Sequence, residues 1–389
     1  MLEIYLILFL IISLSINISI FILYTKKRGK KQLIKKLSLK KTEKKKFEPL
    51  KIPEIYTKNN LSLSFKNNVK TQNDFNGWKK NIISKFQELH KISNLDQICI
   101  SEIKKIFVKK YNNYTITKFS TKAQDDDNIF FYQLIPTKIE KNNTTVFVIP
   151  GSGNQGAKDV CNIASKDSEF YYQQEIGIKL VNEGYIVYVI ENRGWGERTI
   201  NTNLCDELDP FCSGEVLERQ IKNLGLDLIN LQITDTLQIF KSLLSFNLGN
   251  SENIFLLGIG HGGKIALRSS LFLNNLKGIL LSSSLFSTNF FGTFGNGYTH
   301  GFLKYFDNPD LAITFAPKPI YLSWGLNENP PHSFEAQSSH SSNMIKSAYS
   351  IFNQEKNLTS IIHHQTINSG HTVDPSSILT FIKNNIKSG

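Results

Sequence analysis

Cysteine is scarce: four in 389 residues, so this is not a small fold stapled by disulfides. Charge is scarce too, at 20% of residues against 40% hydrophobic, a balance that builds a packed core rather than a disordered chain. The net charge of +12 invites a nucleic-acid reading, but it has one source. Between Lys26 and Lys46 stand 12 basic residues and one acid, Glu43; taking them from the 45 basic and 33 acidic residues leaves 33 against 32. No whole-domain basic footprint exists, and no nucleic-acid partner is expected. Metal-ligand spacing is absent: His363 and His364 are adjacent and face opposite sides of a strand. Gly258, Gly260 and Gly263 fit a G-x-G-x-x-G, but their strand does not open a βαβ unit, so a dinucleotide fingerprint is not read there. No cofactor is expected.

Residues 4–25 form an uncharged, Leu- and Ile-rich run. At 1.5 Å per residue, 22 residues of helix reach about 33 Å, enough to cross a bilayer core. No basic segment precedes the run and no small-x-small site precedes Lys26, so it reads as an uncleaved anchor rather than a signal peptide. Lys26–Lys46 follows directly, which by the positive-inside rule leaves the C-terminal part cytoplasmic. That tract is a candidate contact for anionic lipids, though a solvated stop-transfer linker is the plainer reading. Asn60, Asn113, Asn142, Asn143 and Asn357 head N-x-[ST] sequons, expected by chance in so Asn-rich a chain. Cys205 and Cys212 are close enough in sequence to bridge.

The expected organisation is an anchor at 1–25, a basic tether at 26–70 and one α/β domain at 71–389. Trp78–Ile92 has apolar residues at helical spacing. Strands are expected at Tyr114–Phe119, Ile129–Leu134 and Thr145–Ile149, with a turn at Asp125–Asp127. From Thr144 short apolar strands alternate with helices: helix Phe170–Asn182, strand Tyr185–Ile190, helix Leu226–Phe246, strand Ile254–Leu257, helix Gly263–Leu273, strands Gly278–Leu281, Pro319–Leu322 and Ser360–Gln365, and a helix from about Pro375. This pattern predicts a mostly parallel sheet with helices on both faces, and ligands at the C-terminal strand ends.

After Leu257 the chain reads G-I-G-H-G-G into a helix, the setting of a nucleophile elbow, G-x-S-x-G. Gly260 stands at the nucleophile position and has no side chain with which to attack. Pro150–Gly153 is placed to aim a backbone N–H at an oxyanion, partnered by that of His261. Glu328 is the candidate acid and His371 the candidate base, in the chain order nucleophile, acid, histidine. Arg193 is read as knitting neighbouring loops together. His332, His363 and His364 are read as packing or surface residues.

From about Trp78 to the C-terminus the chain resembles the α/β-hydrolases, in particular the acetyl xylan esterase and dienelactone hydrolase-like group. The resemblance rests on the Trp78 helix, FVIPGSG, ENRGWGER, LLGIGHGG, FAPKPIYLSWGLNE and NSGHT. It implies an ester-hydrolase lineage in which Gly260 matches the serine, Glu328 the acid, usually Asp, and His371 the histidine. Ser152 and His261 match the oxyanion-hole backbone donors. Two readings follow. In one the protein is catalytically degenerate and binds a small ester-like ligand or acts as a scaffold at a membrane. In the other it remains a hydrolase, with water activated by His371, or with His261 or Ser152 standing in. Residues 199–223 and 286–308 are long enough for cap segments, and the aromatics from Phe290 to Phe306 either line a pocket or pack, packing being favoured.

Overall fold

The computed structural model describes residues 61–386 apart from 93–94, 139–143, 154, 164–171, 201–211, 246–252, 287–298, 327, 329–333 and 365–369. The chain divides into two units, Met1–Lys58 and Asn59–Gly389. The proposed anchor, most of the tether, Cys205, His332 and Phe290–Tyr298 lie outside the described residues. Among the described residues no helix is long and apolar enough to cross a membrane.

Among the described residues nine strands form one sheet in the order β1-β2-β3-β5-β4-β6-β7-β8-β9. They are β1 Lys104–Lys110, β2 Tyr114–Lys122, β3 Asn128–Pro136, β4 Thr145–Ile149, β5 Ile186–Ile190, β6 Ile254–Ile259, β7 Leu276–Ser282, β8 Ile320–Gly325 and β9 Leu358–His363. β1, β2, β3 and β5 pair antiparallel; every pair from β5 through β9 is parallel. The helices that matter here are α1 Gln72–His90, α2 Ile176–Asn182, α3 Cys212–Lys222, α4 Leu228–Ser245, α5 His261–Ser270, α6 Asn308–Ile313, α7 Phe334–Ile351 and α8 Pro375–Ile386.

The two-residue alternation of the strands builds two cores. Phe147 and Ile149 of β4 face a cluster with Trp78, Ile82 and Phe86 of α1 and Ile233 and Leu237 of α4. Val146 and Val148 face a second cluster with Ile176 and Leu180 of α2 and Ile378 and Phe381 of α8. β4, β5, β6 and β8 are buried along their whole length, which is why their sequences are continuous apolar runs. All of this core lies within 65–382, so the second unit carries its own.

Several boundaries differ from the sequence reading for identifiable reasons. α1 begins at Gln72, not Trp78, because Thr71 and Asp74 form a capping box. The stretch 61–70, read as the end of the tether, is packed: Phe65 and Val69 are buried, and Phe65 N–H donates to Asp310 at 2.8 Å. β1 and α7 were not expected at all. Phe302 and Phe306 pack against each other and toward Phe86 and His90 rather than lining a pocket. Cys212 is disulfide-bonded, whereas Cys99 and Cys161 are free.

Candidate active site

Every loop expected to carry chemistry follows the C-terminal end of a parallel strand. The sharpest lies between β6 and α5. Gly260 takes φ 52° and ψ −119°, a backbone that an L side chain rarely adopts. Its N–H donates to Ser282 O at 2.9 Å, fixing it beside the end of β7. Two residues on, Gly262 lies against β4: a Cβ there would stand 2.2 Å from Ile149 O. Only a bare backbone lets the helix start so close to the sheet. A Cβ on Gly260 would stand 3.0 Å from His371 Nε2 and 4.0 Å from Gly151 Cα. The structure therefore brings residue 260, the base loop and the Pro150–Gly153 loop to one point.

His371 Nδ1 donates to Glu328 Oε1 at 2.6 Å, and the Glu328 side chain is wholly buried. Its other oxygen accepts the Gly325 N–H at 3.1 Å. With Nδ1 so engaged, Nε2 is the nitrogen turned to residue 260, and the imidazole remains 32% exposed. The base loop is tied from far upstream. Thr372 Oγ1 donates to Tyr172 O at 2.7 Å, Val373 N–H to the same oxygen at 3.0 Å, and Gln174 Nε2 to Val373 O at 2.8 Å. The Tyr172 ring stands 5.3 Å from the imidazole, and its hydroxyl donates to Ser152 O at 2.8 Å. Tyr172 thus joins the base loop to the Ser152 loop.

Gly151 N–H is given to Gln173 Oε1 at 2.8 Å, so it is not free for a ligand. His261 opens α5, where the first N–H groups have no partner within the helix. Its ring is elsewhere: Nε2 meets Gln232 Oε1 at 2.8 Å, and Trp195 lies 4.6 Å away between centroids. His261 is thus committed to packing on α4. His363 is likewise structural, with Nε2 on Thr372 O at 3.0 Å. Tyr172 and Gln173 were missed by sequence reasoning. They lie in a stretch assigned to helix, with no motif around them.

Behind these loops Arg193 does knit its neighbours together. It binds Asp125 in the β2–β3 turn and both oxygens of Asp235 on α4 at 3.1 Å. Arg198 adds Asp235 at 2.8 Å and Asp127 at 2.6 Å. Glu191 lies under the same loops, fully buried, accepting the Ala157 N–H at 3.1 Å. Burial pushes its carboxyl from the ordinary 4.5 up to about 8. The folded protein therefore holds a proton there that the unfolded chain has released. Stability from this group is full below about pH 4.5 and declines as pH rises through about 8, by at most about 1.4 kcal/mol per pH unit. Urea unfolding at several pH values should show this fall, and Glu191→Gln should flatten it.

Among the described residues no cluster of three or more His, Cys, Asp or Glu side chains could hold a metal ion. Residues 53–210 match the model of the Abhydrolase family. No curated protein sequence matches significantly. Solved structures share the fold. A candidate acetyl xylan esterase from Bacteroides fragilis is 16% identical, with a TM-score of 0.64 over 81% of each chain. A methylesterase is 14% identical with a TM-score of 0.64, over 86% of this chain and 68% of its own. A glucuronoyl esterase from Solibacter usitatus is 10% identical with a TM-score of 0.57, over 82% of this chain and 94% of its own. The fold is thus that of the α/β-hydrolases, as the motifs led one to expect, and residues 53–210 match one family of that fold.

Proposed function

We propose that this protein is a membrane-anchored α/β-hydrolase of esterase lineage that binds a small ester-like ligand without forming a covalent intermediate on residue 260. One observation carries the reading. The Glu328–His371 pair is assembled with Nε2 directed at a residue that has no side chain, 3.0 Å from where its Cβ would be. The base and acid of an acyl-transfer site are present; the attacking atom is not. His261 is a poor replacement because its ring is held by Gln232.

The second reading is a weak hydrolase in which His371 activates water. The space left by the missing side chain and the partly exposed imidazole favour it. Assay of residues 59–389 on short-chain p-nitrophenyl esters separates the two. No turnover beyond that of a His371→Ala variant supports the binding protein. Clear turnover that His371→Ala abolishes supports the water mechanism.

The anchor at residues 4–25 and the Lys26–Lys46 tract place the domain beside a membrane, on the cytoplasmic side by the positive-inside rule. The disulfide at Cys212 is the observation against that side, since such bonds persist mainly in oxidising compartments.

A further inference from the structure

β1 is unlike any other strand of the sheet. All seven of its residues, Lys104–Lys110, are exposed, whereas the central strands are buried throughout. Among the described residues it is the terminal strand and pairs with β2 alone, so none of them covers its outer backbone edge. Ile106, Phe107 and Val108 are 47%, 38% and 46% exposed, and Phe107 only leans its ring on Tyr132 at 6.4 Å. Lys104 and Lys105 flank this trio on one side, Lys109 and Lys110 on the other. From Ile103 to Gln124 the chain has six lysines and no acid. Lys118 is turned inward onto Glu197 at 2.6 Å, and Lys104 meets Glu102 only at 3.8 Å, both largely exposed. Lys105 and Lys110 are exposed, and the exposed Lys109 lies over the Tyr111 ring, 5.0 Å from its centroid.

We infer that β1 is a docking edge for an anionic lipid bilayer, met edge-on, with Phe107 on one face of the strand and Val108 on the other at the headgroup boundary and lysines reaching lipid phosphates and carboxylates to either side. The occupant follows from charge and polarity together. A second copy of this chain would bring eight lysines of two KKIFVKK strands against one another. A soluble polyanion would satisfy the lysines and leave Ile106, Phe107 and Val108 in water. An anionic membrane surface accepts both. The open backbone edge limits the depth, because its N–H and C=O groups need the hydrated interface rather than hydrocarbon.

The inference is independent of the catalytic reading and of the N-terminal anchor, because the test uses residues 59–389. Co-sedimentation is measured with phosphatidylcholine vesicles, with and without about one part in four phosphatidylserine. Binding is expected only with the anionic lipid, and weaker at high salt. Each lysine near the surface is worth about fivefold in affinity, so Lys104→Glu with Lys105→Glu, or Lys109→Glu with Lys110→Glu, should cost about twentyfold or more. Ile106→Ser with Val108→Ser should cost roughly tenfold at unchanged charge. Thermal unfolding checks the fold; where a Glu pair unfolds, Lys→Ser at the same sites is read instead. Absence of binding to the anionic vesicles overturns the inference. So does equal binding by the Ile106→Ser/Val108→Ser variant together with capture by heparin, which marks a polyanion site. A concentration-dependent dimer that protects β1 from hydrogen exchange without vesicles also overturns it.

Discussion

Gly260→Ser is expected to raise ester hydrolysis by about 10²–10⁴-fold over the unmodified chain while lowering stability by about 1–3 kcal/mol. Both halves follow from the same backbone. Residue 260 sits at φ 52° with His371 Nε2 3.0 Å from its Cβ position. A serine hydroxyl there falls within reach of a base whose other nitrogen is already held by a buried carboxylate. The approach is tight, so the imidazole must yield by a few tenths of an ångström. It can, being 32% exposed on its open side. The strain is the reverse side of this gain, since a Cβ at positive φ is unfavourable. Adding His371→Ala should return the rate to the unmodified level. A folded Gly260→Ser variant with no gain on any short-chain ester would sink the claim that this is an acyl-transfer site short of one atom.

Asp235→Ala should be among the most destabilising single changes outside the hydrophobic core, at about 3–5 kcal/mol. Asp235 is 5% exposed at its side chain and holds two guanidinium groups, those of Arg193 and Arg198, at 9% and 2%. Without it the carboxylates left to these two buried cations among the described residues are Asp125 and Asp127, each nearly half exposed. The loss is larger than that of one ion pair because desolvation of both cations is left uncompensated. Asp125→Ala should cost far less, about 0–1 kcal/mol, because its carboxylate is well hydrated in either state. Urea unfolding of the two variants provides the comparison. Equal losses would show that the buried carboxylate is not the keystone of this network. The effect should also reach the site, since the Arg193 loop touches the oxyanion loop through Gly196 N–H on Gly153 O at 3.2 Å.

The buried half of the fold was legible because burial on both faces leaves a plain mark: unbroken apolar runs such as TVFVI and IVYVI between polar turns. The elbow was legible because its glycines stand out in the sequence: Gly260 takes a positive φ that strains other residues, and at Gly262 a Cβ would meet β4. Glu328 and His371 were legible from chain order and from their place after parallel strands. β1 was not, since no face of it is buried and its seven residues carry no alternation. α7 was not, because FEAQSSHSSNMIKSAYSI is serine-rich and lacks a clear apolar stripe. The Asp125–Asp127 turn was read, but not its binding to Arg193 and Arg198, because contacts between residues some 70 positions apart leave no local periodicity. Tyr172 is the sharpest case. Nothing near it in sequence marks a residue that supports His371 and Ser152 at once.

That long reach has a consequence for how the protein is made. The loop bearing the imidazole is fastened to Tyr172, about 200 residues earlier, and the final helix closes behind it. Contacts of such separation form late. On the ribosome the pocket would remain open, its floor laid but one wall missing, until the loop bearing His371 had emerged. A nascent chain truncated before position 371 would bring the elbow and oxyanion loops together with no proton carrier between them.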